Sequence, residues 1–332
     1  MSNKVLILLF VALVFVIAGC YLLVERGGSL GLNDEQALVL AAQKMSSLDS
    51  YTTDINLEFT GQSPEMTISE VLTSRIKSDN QKEAASGTID LNLQIQEAGQ
   101  EIILNFEGEV TVLDNQIFAK ITTVPEIIQM FIPAEMIGQW ILFSGNLKEE
   151  IIAEMAEQGL NIDQLEAMAE ELVVRFWERG VFIVTAKEKD RIDGISLNKY
   201  TVEIIPEKII SFLEEDFMPL IEEIGGEELS SLSEEDKEEM ISQLEAVLEH
   251  LDLYIWSDGK YLHLIRVDAQ IIEYEMVDQA TIALEMKFHE FNKPVTIEAP
   301  DEFVPVEEIV EGLVEGIVDL LFDRALGTQS LF

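Results

Sequence analysis

The residue types that do chemistry are few here, or spaced wrongly for it. Three histidines, His250, His263 and His289, stand apart, and His289-Glu290 runs on into Phe291-Asn292-Lys293 instead of closing the HExxH pair of a helical zinc site. The single cysteine, Cys20, excludes an intramolecular disulfide framework and any metal site built from several thiolates. Carboxylate pairs such as Glu149-Glu150, Glu170-Glu171 and Glu234-Glu235-Asp236 are so abundant that they fit solvated helix faces better than acid–base catalysis. Asp190 with Asp193-Gly194 misses the calcium-loop spacing and predicts a polar hairpin turn. There is no GxSxG elbow, phosphate loop or GxGxxG run. The expectation is a non-catalytic protein with no metal ligand and no cofactor.

Apolar surface is what remains. Phe59, Phe106, Phe118, Trp140, Trp256, Met286 and Phe288 fall on predicted strands and are the candidates to line a lipid-sized cavity between sheet and helices. The competing role for the same side chains is a solid core at ordinary packing density.

Composition narrows the class of partner. With 48% hydrophobic residues in 332, the chain has ample material for a core, so global disorder is excluded. Against 63 Asp and Glu stand only 21 Lys and Arg, a net charge of −42, so a nucleic-acid partner is not expected. That charge also keeps the body soluble and repelled from anionic head groups, which favours a tethered, upright molecule.

The tether is sought in residues 1–26. Val5 to Val24 carries no charged side chain, and about 20 residues at 1.5 Å each reach roughly the 30 Å of a bilayer core. Lys4 and the amino terminus give the positive flank of the cytoplasmic side, which places the acidic body outside the cytoplasm. Ile17-Ala18-Gly19-Cys20 also looks like the lipobox of bacterial lipoproteins, in which cleavage exposes a cysteine for lipidation. Both alternatives, a transmembrane anchor or a lipoprotein signal with Cys20 as the acylated residue, stay open. Residues 27–32 follow as a flexible spacer, 33–324 as the extracytoplasmic body and 325–332 as a tail.

The elements that must position the apolar residues follow from periodicity. A helix is expected from Asn33 to about Ser50, with Leu38, Leu40, Ala41, Met45 and Leu48 on its apolar side. From Tyr51 the period changes to two, and alternation returns over 89–95, 102–112, 117–121 and 139–143, with turns at Glu97–Gln100 and Asp114-Asn115. Helices are expected over 147–158 and 162–178, and strands over 181–185 and 192–205 with a bulge near Asn198-Lys199. A helical section from Pro206, an acidic helix over 229–250, a hairpin turning at Asp258-Gly259, a strand over 279–291 and an apolar helix over 306–322 complete the chain. Helices segregated from long, cleanly alternating strands imply α+β: one large curved antiparallel sheet, a half-barrel, with helices over its concave apolar face. Two half-domains meeting near Pro206 are the alternative.

This layout resembles the extracytoplasmic lipoprotein-carrier-like fold, the group that includes the LolA and LolB carriers and the LppX and LprG lipoproteins. The residues carrying the resemblance are the opening helix entering the first strand at Tyr51, the paired strands over 85–121, Gln139-Trp140-Ile141, and the hairpin Ile255 to Leu262. The resemblance implies a half-closed sheet plugged by helices, with an apolar cavity for acyl chains, and it transfers no individual ligand residue.

Two functions are therefore expected. One is a membrane-tethered protein that binds or carries a lipid or lipidated partner outside the cytoplasm, on the cell surface or periplasmic side. The other is a solid structural or protein-interaction module of the cell envelope that meets a basic partner through its acidic surface.

Overall fold

The computed structural model describes residues 34–97, 99–129, 136–144, 179–219, 244–274 and 277–306, with 172, 175, 176, 241 and 242 beside them. The segments expected as the anchor, as helices over 147–158, 162–178 and 306–322, and as the first part of the acidic helix lie wholly or largely outside these residues. Among the described residues no helix is long and apolar enough to cross a membrane.

Alternating apolar residues dominate the architecture because they force strands with two unlike faces. In chain order these are β1 (Ser50–Gln62), β2 (Met66–Asp79), β3 (Ala84–Glu97), β4 (Gln100–Leu113), β5 (Gln116–Thr123) and β6 (Trp140–Ser144). Then come β7 (Phe182–Ile192), β8 (Ile195–Ile204), β9 (Leu251–Ser257), β10 (Leu262–Tyr274), β11 (Val277–His289) and the short β12 (Val304–Pro305). They form one 12-stranded sheet in the order β12-β6-β5-β4-β3-β2-β1-β11-β10-β9-β8-β7. All neighbours are antiparallel except β12 and β6, so strands from both sides of Pro206 share the sheet.

Turn chemistry sets the hairpins. Asp114 and Asn115 both take positive φ, as do Asp193 and Gly194, which suits two-residue turns matched to strand twist. Asp258 accepts the backbone N–H groups of Lys260 and Tyr261, each at 2.7 Å, and Gly259 takes φ +88°.

Three strand assignments differ from expectation. β2 has no counterpart in the sequence analysis, because Glu70, Ser74 and Ser78 interrupt its apolar side while Val71 sits on the other. β7 runs on to Ile192 through Lys187-Glu188-Lys189-Asp190-Arg191, which shows no alternation and is tolerated at an edge. The irregularity expected at Asn198-Lys199 lies instead on the partner strand, where the register slips between Val184 and Ala186.

Close backbone approach requires glycine at position 87. A Cβ added there would stand 2.7 Å from the Arg75 carbonyl oxygen, closer than neighbouring strands tolerate. At Gly108 the corresponding approach is 3.1 Å, to the Lys120 carbonyl, beside a register shift between Glu107 and Gly108.

Helix α1 (Asp34–Ser46) lies against β10 and β7. Its Ala41, Ala42 and Met45, with Leu48, bury against Tyr200, Val202, Leu253, Ile255, Ile265, Val267 and Leu284. α2 (Glu126–Gln129) is one turn. α3 (Pro206–Phe212) starts with proline at its first turn, where the missing N–H is not needed, and continues as a π-helical turn over Leu213–Phe217. Phe212 and Leu213 join Leu172, Phe176, Val181, Ile204, Leu244 and Leu248 in a second core. Three ion pairs fasten it: Arg175 meets Asp216 at 3.0 Å, and Arg179 meets Asp216 at 2.6 Å and Glu215 at 2.8 Å. Burial pushes the Asp216 carboxyl up, but the hydrogen bonds from Arg175 and Arg179 outweigh it and hold the group below the usual range.

Candidate functional site

Residues paired across a ladder share a face, so the register fixes which side chains meet. One row runs across nine strands, from Phe106 through Leu91, Leu72, Leu57, Leu284, Val267, Leu253 and Val202 to Val184. Every member is apolar, and this side is the inner face.

Coverage of the inner face is unequal. From β11 to β8 the row is buried beneath α1, with Leu284, Val267, Leu253 and Val202 all at or below 6% exposure. On β1, Leu57 is half-buried at the margin of that core, and from β2 to β4 the row lies outside it. Leu72, Leu91, Leu93, Leu104 and Phe106 are only half-buried, Ile89 is 41% exposed and Ile102 is 51% exposed. The adjacent rows Phe59–Glu70–Leu93–Leu104 and Gly61–Ile68–Ile95–Ile102 extend the same open apolar field, with Glu70 as its carboxylate. The outer face of these strands is mainly polar, with Ile103 exposed on it: Asn92 donates to Asn105 at 2.6 Å, Thr123 to Glu107 at 2.9 Å, and Gln94 to Glu101.

The seven aromatic and methionine candidates divide between the faces. Phe59, Phe106, Met286 and Phe288 lie on the inner face, the last two against the core beneath α1. Phe118, Trp140 and Trp256 lie on the outer face, so the structure does not bring all seven to one place. The reason is parity: each follows or precedes a residue whose side chain points inward.

Each outer aromatic has its own cover. Phe118, 1% exposed, stacks edge-on against Phe303 at 5.3 Å between ring centroids, in the segment that returns from β11 to β12. Lys120 sits 5.6 Å from the Trp140 ring centroid. Trp256 buries with Leu197 and Leu264, donates Nε1–H to Asp190 at 2.8 Å, and has Lys199 5.5 Å from its ring centroid. That indole hydrogen bond is the leading reason the Asp190 carboxyl is held below its ordinary range. The tip of the β7–β8 hairpin extends past the last β8–β9 partners, Asn198 and Ser257, and its Asp193 pairs with Lys287 on β11.

Beside that tip the outer face holds a shallow depression of about 450 Å³ edged by Asp54, Thr73, Arg75, Glu285 and Lys287. Its two cations are already paired, Arg75 with Asp54 and Lys287 with Asp193, which leaves neither ready for an anionic ligand. His289 Nε2 lies 3.1 Å from Asp54 Oδ2, and His263 Nε2 lies 3.2 Å from Asp258 Oδ2. Among the described residues no group of three or more His, Cys, Asp or Glu could hold a metal ion. Cys20 lies outside the described residues.

The open inner rows were only partly foreseen. Leu91, Leu93 and Leu104 stood in the alternation that predicted strands, but Leu72 and Ile68 sit on the strand the sequence analysis missed. Their signal was the Ile68, Leu72, Ile76 spacing, diluted by Glu70 and Ser74.

No family model matches this chain, and no curated protein matches it. Among solved structures it has a distant likeness to the crystal structure of MucB in complex with MucA(peri), at 7% identity and a TM-score of 0.12. That alignment covers 81% of this chain and 100% of the other, and likeness this slight assigns neither fold nor function.

Proposed function

We propose that this is a non-catalytic extracytoplasmic protein, held to a membrane by residues 1–26, that binds a lipid or a lipidated partner on the open half of its inner face. The carrying observation is the unequal coverage of one continuous apolar row: buried beneath α1 from β11 to β8, only half-buried from β2 to β4. An antiparallel sheet normally shows water a polar side, and these strands already have one. Their second side is apolar, wide and unfilled by α1.

An acyl chain suits such a surface. Each buried methylene contributes about 0.8 kcal/mol, without directed hydrogen bonds. The flat rows of Leu and Ile offer contact area and little polar selectivity, which favours a chain over a compact, polar metabolite.

The test is direct. The full-length protein is extracted gently, examined by native mass spectrometry and titrated with a fluorescent fatty acid. Retained lipid and saturable, salt-insensitive binding are expected. A protein that carries no lipid and leaves the probe in water is not a lipid binder, and binding to a basic protein that collapses with added salt would favour the envelope-interaction role instead.

A further inference from the structure

The inner rows that start at Ile55, Leu57, Phe59 and Gly61 and cross from β1 to β4 contain a single charged side chain, Glu70. Their other polar side chain, Ser74, is satisfied within the sheet, its hydroxyl donating to the Thr88 carbonyl at 2.8 Å. Glu70 has no such partner: among the described residues no donor or cation meets its carboxylate. Its nearest neighbours on this face are all apolar. Phe59 and Leu93 stand opposite it on the flanking strands, and Ile68 and Leu72 lie two residues away on its own. Glu70 and these neighbours are all half-buried.

Uncovered, the carboxylate keeps part of its water. An apolar chain laid across Phe59, Leu72 and Leu93 removes that water, and a carboxylate stripped of hydration without a partner is costly. A ligand covering these rows therefore gains affinity by bringing a cation with N–H donors to Glu70, and loses it by bringing a second anion. A carboxylate or phosphate head group has the wrong sign, both at Glu70 and against a chain of net charge −42. A primary ammonium is the compact group that fits, a full charge with N–H donors free to rotate at the end of an alkyl chain.

We propose that Glu70 is the specificity-determining residue of the open rows, and that their ligand is an amphiphile with a primary ammonium head group. The ammonium sits on the Glu70 carboxylate, and the alkyl chain covers Leu72, Leu91 and Phe106 in the row beside it. This assignment of the head group rests on the lipid-binding role proposed above.

Calorimetric titration of the full-length protein with dodecylamine, dodecanol and dodecanoate, each below its micelle-forming concentration at neutral pH, is the test. Dodecylamine should bind about tenfold more tightly than dodecanol, with dodecanoate weakest. Glu70→Gln should bring dodecylamine to the level of dodecanol and leave dodecanol unchanged, in a protein whose circular dichroism matches that of the natural chain. Glu58→Gln removes a carboxylate from the exposed outer side of β1, one position from Phe59, and should keep the preference. Equal binding of dodecylamine and dodecanol to the natural chain, a preference that survives Glu70→Gln, or one lost equally in Glu58→Gln overturns the role of Glu70 and leaves lipid binding in place. Failure of all three compounds to bind overturns the lipid-binding role itself, and the head-group assignment with it.

Discussion

Asp54 on β1 and Arg75 on β2 stand directly opposite each other, and the carboxylate accepts both Nε–H at 2.6 Å and Nη2–H at 3.0 Å. The Arg75 hydrogen bond is the largest influence on Asp54, and with help from His289 it outweighs burial and holds the carboxyl below its ordinary value of 3.8. A carboxylate lowered in this way stabilises the fold above that value and loses its contribution as pH falls through the lower folded value.

Arg75→Met should therefore cost about 0.5–1 kcal/mol at neutral pH, the modest size set by a pair that is largely solvent-exposed. Urea denaturation of both proteins at a series of pH values should show the difference shrinking as acid protonates Asp54. A penalty that persists undiminished at low pH would mean that Arg75 acts through packing.

Trp256 is the outer-face residue with most to lose. It is 7% exposed and packs with Leu197 and Leu264, so Trp256→Ala should destabilise by about 3–5 kcal/mol in urea unfolding. Trp256→Phe should cost clearly less, since it keeps most of the ring contact and forfeits the bond to Asp190.

Glycine is required more strictly at Gly87 than at Gly108. Gly87→Ala should cost about 1–3 kcal/mol, because its methyl group would meet a backbone carbonyl that cannot step aside. The same change at Gly108, with its looser approach, should cost less. Thermal unfolding of the two single variants checks the order.

Removing the Phe118–Phe303 ring contact should loosen the return segment without unfolding the sheet. Phe303→Ala is expected to speed proteolytic cleavage within 294–303 while far-ultraviolet circular dichroism stays unchanged.

Charge on the open rows should abolish ligand binding selectively. Leu93→Glu places a second carboxylate directly between Glu70 and Leu104 and should eliminate fatty-acid binding, whereas Asn92→Glu on the other side of the same strand should leave it intact. Equal effects from both would disconnect binding from the inner face.

Much of the fold is legible in the residues because hydrophobic period is a local property. The alternation in β1, β3, β4 and β11 and the positive-φ turns at Asp114-Asn115 and Asp193-Gly194 need only neighbours in sequence to declare themselves. β2 and β7 escaped because one carries serines and Glu70 on its inner side and the other is a charged edge. Local pattern also decided the abundance of apolar strand residues, but not their grouping.

Grouping is a matter of register, and register depends on which strands pair. Phe118, Trp140 and Trp256 look equivalent to Phe106 and Phe288 in the sequence, yet a one-residue difference in phase sends them to the opposite side of the sheet. Coverage is likewise tertiary. α1 reaches β7 to β11 because the sheet order places β1 beside β11, a pairing between residues more than two hundred positions apart, and that choice leaves the inner side of β2 to β4 open.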